Sequence, residues 1–330
     1  MVDQMAMHHD LNRLSAILCE VDEFKTILSS QSLPEVTSFY DLKELFNQSK
    51  VAGSFLPADA FLKIKGTIQA ADILANLFTS TQEETPHLAN LTGSLSIDAD
   101  FLLTIDRIID DDGQVKSNAS PELGTIRKAL QKEEVRLRGI VNTAYKKAKK
   151  DGFIPEGATI SVRDGRLVIP VEASRKRQVH GFVHDESASG QIVYLEPAEA
   201  LEANNHIKEL VFSEQREIIK LLTGLTDAFR MRKASLVITQ KFLASVDFIW
   251  SKAQLAILLD GNMPTLVEAG SFDINEARHP NLIKAFSGTE RKVIAQDFHF
   301  DNEHRIILIS GPNAGGKSVA LKTMGICQYM

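Results

Sequence analysis

Residues 305–309 read RIILI, residues 311–318 read GPNAGGKS, and residues 319–330 read VALKTMGICQYM. The first stretch is an apolar run bounded by charge, the pattern of a buried parallel strand. The last reads as a helix. Between them stand Gly311, Pro312, Asn313, Ala314, Gly315, Gly316, Lys317 and Ser318. Glycine, four residues, glycine, lysine and serine between a strand and a helix is the pattern of a phosphate-binding loop. Small residues let backbone N–H groups curl around phosphates at a helix N-terminus. Lys317 is then suited to reach the β- and γ-phosphates, and the Ser318 hydroxyl to ligand Mg²⁺. ATP and Mg²⁺ are the expected ligands. Twelve residues follow Ser318, so the acids that hold the metal and orient water are expected beyond Met330. No catalytic residue is therefore assigned. The run Ile192–Glu196 (IVYLE) imitates an acidic strand of that kind, but it precedes the loop and falls in another module.

Upstream of the loop, the period of the apolar residues divides the chain. Ser120-Pro121-Glu122 reads as a helix start, with a capping hydroxyl, proline at the first helical position and an acid at the positive end of the dipole. The helix is expected to reach about Lys150. Its apolar positions are Leu123, Ile126, Leu130, Leu137, Ile140, Ala144 and Ala148, a three-four spacing that Glu133 interrupts. At ~1.5 Å per residue such a rod is roughly 45 Å long. The period then changes to two. Ala158–Arg163 and Arg166–Glu172 alternate around Asp164-Gly165, which predicts a hairpin with a two-residue turn. Gln178–His184 and Gln191–Leu195 read as two further strands, separated by the turn-rich Asp185–Gly190. After Glu196-Pro197 the helical period returns and runs to about Leu259, with a break near Gly224. A helix out, a β-module and a helix back describe an antiparallel arm with a β-containing tip.

Positive charge concentrates on that tip. Between Arg136 and His180 there are eleven Lys and Arg against four Asp and Glu, a local net of +7 on a chain whose formal net charge is −6. Lys146, Lys147, Lys149, Lys150, Arg175, Lys176 and Arg177 form the densest clusters. Lys149, Lys150, Arg175, Lys176 and Arg177 are the candidate phosphate contacts of a nucleic acid. The competing reading is a solvated, charged helix end. His180 and His184 are four apart in a strand-like stretch, a spacing that disfavours a metal pair.

Residues 1 to about 108 read as helical, from the spacing of Leu11, Leu14 and Leu18, then Phe24, Ile27 and Leu28. Leu33-Pro34 and Pro86 are breakers, and Ala58–Lys65 and Thr67–Phe78 are further helical runs. Asp110-Asp111-Asp112-Gly113 fails as a calcium loop, because aligning Gly113 puts Ile108 and Ala119 at ligand positions. It reads as an acidic turn. His8-His9 is read as chance and not as a metal site. The composition, 44% hydrophobic and 24% charged over 330 residues, allows two or three cored domains. The two cysteines, Cys19 and Cys327, do not make a disulfide framework. Met1-Val2-Asp3-Gln4 lacks the basic start and apolar run of a signal peptide, and no apolar stretch is long enough for a bilayer. A soluble, cytoplasmic protein without membrane partners is expected.

Taken together, these residues resemble the MutS-type ATPases. GPNAGGKS is similar to that family's phosphate loop, and Glu276-Ala277-Arg278-His279-Pro280 resembles the arginine-histidine-proline element that opens its ATPase domain. NASPELGTIR from Asn118, RDGRLVIPV from Arg163 and GFVHDESASGQIVYLEP from Gly181 resemble the second bacterial branch, MutS-two, which lacks the mismatch-reading domain. The resemblance covers most of the chain and is weakest before residue 50. It implies a helical core domain over 1–115. It also implies lever helices over 116–260 with a clamp-like tip at about 153–196, and the first part of a P-loop ATPase domain over 261–330. The expected fold is mainly α, with a small β-module and the start of an α/β P-loop domain. The resemblance further implies an ATPase that dimerises around two nucleotides and acts as a clamp on branched, recombining or mismatched DNA. A C-terminal Smr nuclease module is common in the family and is absent from this chain, which reads as a fragment without activity of its own. An alternative within the family is an ATPase of collided ribosomes that contacts ribosomal RNA. In the mismatch-repair branch an aromatic before the loop packs on adenine. The matching stretch here begins Val293-Ile294, so base packing by aliphatic side chains is implied.

Overall fold

The computed structural model of the chain describes residues 10–30, 36, 38–268, 271–312 and 315–330. His8-His9, Leu33-Pro34, Asn313 and Ala314 lie outside the described residues. In chain order the elements are α1 (Leu11–Ser30), α2 (Lys43–Gln48), α3 (Ala58–Ser80), α4 (Pro86–Asn90), α5 (Ala99–Ile108), α6 (Pro121–Lys150), β1 (Ser161–Arg163), β2 (Arg166–Glu172), β3 (Gly181–Glu186), β4 (Ile192–Pro197), α7 (Leu201–Met231), α8 (Lys233–Leu258), β5 (Phe272–Ala277), α9 (Pro280–Phe286), β6 (Gln296–Phe300) and α10 (Lys317–Tyr329). The protein is mainly helical with small antiparallel sheets. It divides into two compact units, one of Met1–Phe39, Gly66–Ile97 and Ala234–Met330, the other of Tyr40–Lys65 and Asp98–Lys233.

In the first unit, α8 buries Phe242, Val246, Ile249 and Ala253, which share one face at helical spacing. They meet Phe24 and Ile27 of α1 and Ala70, Leu74 and Phe78 of α3 in one core. Phe78 sits edge-on to both Phe24 and Phe242, at 6.0 and 6.3 Å between ring centroids. The helical runs at 58–65 and 67–78 are one helix. It passes through Gly66, where a Cβ would lie 3.2 Å from the Ser38 carbonyl oxygen. The short α4 lacks a side-chain cap of its own. Glu23 of α1 serves instead, accepting from the N–H groups of His87 and Leu88 at 3.1 and 2.9 Å.

In the second unit, α6 and α7 run antiparallel, as their polar pairs record. Ser120 bonds Glu217 at 2.8 Å and Arg127 bonds Glu214 at 2.7 Å, so rising numbers on α6 meet falling numbers on α7. Ser120 caps α6 as its sequence implies, its Oγ accepting from the Leu123 N–H at 3.1 Å. Glu133 does not disturb the packing. It is buried, and its carboxylate takes a 2.8 Å bond from Arg136. The helix break after the β-module falls at Arg232, not near Gly224. Buried Leu222, Leu225, Thr226 and Phe229 hold α7 helical through the glycine, outweighing its cost of about 1 kcal/mol. The acidic turn is present: Asp110 Oδ1 accepts from the N–H groups of Asp112 and Gln114, and Gly113 takes φ +75°.

The β-module is a four-stranded antiparallel sheet in the order β1-β2-β4-β3. Its first hairpin turns at Asp164 and Gly165, with φ of 47° and 74°, the positive pair that a tight primed turn demands. Ile169, Val171, Val193 and Leu195 form its inner face. They pack on Leu137, Val141 and Ala148 of α6 and on Ala200 and Ala203 beside the start of α7.

One expected element is absent. Residues 305–309 form no strand, and Ile306 and Leu308 are each 89% exposed. A strand exists only through the hydrogen bonds of a neighbour, and no described strand pairs with this run. Among the described residues the sheet of this region is the two-stranded β5–β6 hairpin.

Candidate functional site

The glycine-rich segment is described at Gly311, Pro312 and Gly315–Ser318. Gly316 takes φ +84° and starts α10 at Lys317 without any side-chain cap. That left-handed conformation suits glycine and no β-branched residue. The Gly315 N–H donates to the Pro312 carbonyl at 3.1 Å, and a Cβ at Gly315 would come 3.0 Å from that same oxygen. The Lys317 ammonium reaches back six residues and donates to the Gly311 carbonyl at 2.5 Å. Ser318 is exposed on the first turn of α10.

Behind the segment, α10 packs through Ala320, with Met324 and Cys327 beside it, against Ala277 and Phe298 of the β5–β6 hairpin. Burial pushes the Cys327 thiol pKa up, which disfavours the reactive thiolate. The chain leaves β6 through a turn centred on Asp301, whose carboxylate accepts from the N–H groups of Glu303 and His304 at 2.8 and 2.5 Å. The Glu276–Pro280 stretch ends β5 and begins α9. Glu276 has φ +55°, uncommon for a residue with a side chain, and its N–H donates to Asp297 Oδ1 at 2.6 Å. Val293 and Ile294 lead into β6 at Gln296. Val293 is half-buried, while Ile294 is 84% exposed.

The basic clusters of the second unit are brought together by the fold. After α6 the chain turns, and the Phe153 carbonyl accepts the Glu172 N–H at 3.0 Å. Lys150 lies three residues before that contact and Arg175 three residues after it. Lys149, Lys150, Arg175, Lys176 and Arg177 are all exposed at this end of the module. The charge excess counted along the sequence is smaller in space. Arg136, Arg163 and Arg166 are paired with Glu133, Asp185 and Glu196, acids that lie outside the counted stretch. Lys176 has one exposed partner, Glu186, at 3.9 Å.

Glu196, which ends the IVYLE run, is the centre of a buried polar network. Arg166 Nη1 donates to both its oxygens at 2.7 and 2.8 Å, Asn204 Nδ2 bonds it at 2.7 Å and His184 Nε2 at 2.5 Å. Burial raises the carboxyl pKa, but the bonds from His184, Arg166 and Asn204 outweigh it and hold the group below its ordinary value. His184 is thereby engaged with a carboxylate and not with His180. Among the described residues no group of three or more His, Cys, Asp or Glu side chains is arranged to hold a metal ion. The one sequence signal of this network was an acid closing an apolar strand.

No family model matches the chain. An endonuclease MutS2 of Geobacillus sp. (strain WCH70) is 32% identical over 314 residues, covering 94% of this chain and 39% of that protein. The protein of the same name from Finegoldia magna is 32% identical over 317 residues, covering 95% and 39%. That of Clostridium botulinum (strain Eklund 17B / Type B) is 30% identical over 332 residues, covering 100% and 41%. This chain is similar to MutS2 proteins along nearly its whole length. It spans about two fifths of the length of the curated MutS2 proteins it matches. The family likeness read from GPNAGGKS, from Glu276–Pro280 and from the β-module therefore agrees with likeness along nearly the whole chain. No helix of the described MutS2-like chain is long and apolar enough to cross a membrane.

Proposed function

We propose that the full-length protein is an ATP-dependent, DNA-binding clamp. The observation that supports the reading is the start of α10, where the left-handed Gly316 leads into a helix that opens with Lys317 and Ser318, the Lys317 ammonium lying on the Gly311 carbonyl. Those residues fit a nucleotide polyphosphate. The first N–H groups of a helix lack intrahelical partners and carry the positive end of its dipole, and the ammonium held on the Gly311 carbonyl can move to an anion. Lys317 and the N–H groups of Gly315–Ser318 would hold the β- and γ-phosphates of ATP, with Asn313 and Ala314 completing the loop, and Ser318 would ligand Mg²⁺. The metal would neutralise charge on the transferring phosphoryl group. Val293 and Ile294 would offer aliphatic surface to the base.

On this reading two copies dimerise around two nucleotides. The antiparallel α6–α7 pair acts as a lever, and the basic end of the β-module closes on the sugar-phosphate backbone. The substrate is branched, recombining or mismatched DNA. The name of the relatives, endonuclease, supports nucleic acid as the partner, and a nuclease module in the full-length protein would supply such an activity. The names give no support to a ribosomal substrate. The test is ATP binding by the full-length protein, measured by calorimetry for wild type and Lys317→Ala. Loss of tight binding in the variant is expected, and unchanged affinity would falsify the assignment of the loop.

A further inference from the structure

Gly139, Ile140, Thr143 and Ala144 share one face of α6 and floor a cavity of about 550 Å³. Arg136 and Lys147 line it from the same face, eleven residues apart, which is roughly 16 Å along a helix. Glu199 lines it from the segment between β4 and α7. The chain does not fill this space itself. A Cβ at Gly139 would meet nothing within 4 Å, whereas one at Gly124 of the same helix would lie 3.2 Å from the Ser117 carbonyl oxygen. Ile140 and Ala144 also pack against the core of the β-module, which fixes the floor. One turn before Gly139, Val135 is 66% exposed and extends the apolar surface beyond the cavity.

The floor and the charges around it select the occupant. The Thr143 hydroxyl donates to the Gly139 carbonyl at 2.9 Å, and glycine, isoleucine and alanine have no polar side chain, so the floor presents no side-chain donor. Charges of both signs surround it. Among the described residues Lys147 and Glu199 make no ion pair, and Arg136 is bound to Glu133 through Nη1 alone, at 2.8 Å. A phosphodiester strand is negative throughout. It would meet the Glu199 carboxylate and find no donor on the floor. The same face of a second copy would set like charges against one another. We propose that this cavity docks an amphipathic helix of a protein partner. That helix carries carboxylates about three turns apart for Arg136 and Lys147, apolar side chains between them for the floor, and one basic side chain on the same face for Glu199. Recognition of a helix in a groove draws affinity from its apolar anchors and choice of partner from the charge pattern. The site is distinct from the cations Lys149, Lys150, Arg175, Lys176 and Arg177 assigned to nucleic acid and from the nucleotide loop, and it depends on neither.

The probe is a synthetic alanine-based helical peptide with two glutamates about three turns apart and a leucine and a lysine between them on the same face. Its binding to the full-length protein is followed by fluorescence anisotropy, beside a control peptide in which every charge is reversed. The probe should bind, and the control should bind at least about fivefold more weakly. Gly139→Leu puts a side chain into the open space and should weaken the probe at least about tenfold, while duplex-DNA affinity stays unchanged. Melting curves verify the fold of that variant, and Lys147→Glu, an exposed change, tests the cavity independently. Lys147→Glu should weaken the probe by about fivefold, and a probe with lysine in place of one glutamate should recover the loss, an exchange that a purely structural role of Lys147 would not give. Failure of the wild type to bind the probe would overturn the proposal, as would equal binding of probe and control. Indifference of the probe to both variants would overturn it too. Loss of DNA affinity in Gly139→Leu without loss of the probe would assign the cavity to nucleic acid instead.

Discussion

Arg166 and Glu196 face one another across the sheet of the β-module, the guanidinium 2.7 and 2.8 Å from the two carboxylate oxygens and the carboxylate wholly buried. Arg166 begins β2 and Glu196 stands near the end of β4, with His184 and Asn204 completing the carboxylate's partners. The pair joins both hairpins of the module to the first turn of α7.

Removing one partner should be costly. Arg166→Ala leaves a carboxylate buried without its main counter-charge and is expected to destabilise the protein by about 3 kcal/mol. Lys176→Ala breaks only the exposed contact with Glu186 and should cost about 0.5 kcal/mol or less. Urea denaturation followed by circular dichroism measures both. The pH dependence has a fixed sign. The folded Glu196 pKa lies below its ordinary value, so the unfolded chain takes up a proton first as the pH falls. Stability from this group is complete above the ordinary glutamate pKa of about 4.3. It declines below that value until the folded carboxyl is itself protonated. In Glu196→Gln this part of the acid sensitivity should disappear. An unaltered acid limb would show that the network does not couple to folding.

Two glycines should respond in opposite directions. A Cβ at Gly181 would lie 2.2 Å from the Glu196 carbonyl oxygen and 2.4 Å from Leu195 Cδ2. The first clash is with backbone of the neighbouring strand, so Gly181→Ala should destabilise by about 1–3 kcal/mol. Gly139 lies on α6 with open space around it. Gly139→Ala should raise stability by about 0.5–1 kcal/mol, the helical advantage of alanine. Melting curves of the two variants decide the matter, and equal signs would contradict the packing at β3 and β4.

The basic end of the β-module should bind phosphates and not base edges. Each phosphate neutralised on B-DNA adds about 0.9 to the slope of log affinity against log salt. Replacing Arg175, Lys176 and Arg177 with alanine should flatten that slope by up to about 2–3 units and weaken all sequences alike. Salt titrations on duplex and branched DNA test this. Equal slopes and equal affinities would reduce the clusters to a solvated helix end, whereas loss on one sequence alone would mean base readout.

A polypeptide of residues 1–330 should hydrolyse no ATP by itself. Among the described residues the Arg305–Ile309 run that leads into the loop pairs with no strand, and Ile306 and Leu308 are exposed. Phosphate release by the purified polypeptide, abolished in Lys317→Ala, would refute this.

Local patterns were enough to read most elements. The Ser120-Pro121 start of α6, the Asp164-Gly165 turn, the return of helical period after Pro197 and the Gly311–Ser318 spacing each depend on a few neighbouring residues whose backbone preferences are strong. The helix that follows the glycine-rich loop was legible for the same reason. Other features were decided by groups far apart in the chain. Gly224 reads as a break, yet its helix continues because Leu222, Leu225 and Phe229 are buried around it. RIILI reads as a strand, yet among the described residues no strand pairs with it. Val141, absent from the sequence seam, is fully buried because the β-module covers that face of α6. The charge count over 136–180 could not foresee that three of its arginines pair with acids beyond it. Nor could it foresee that Lys150 and Arg175 are gathered at one end by the bond between Phe153 and Glu172. Backbone propensity is a property of short segments, whereas burial, ion pairing and strand formation require a second surface, and only the tertiary structure supplies it.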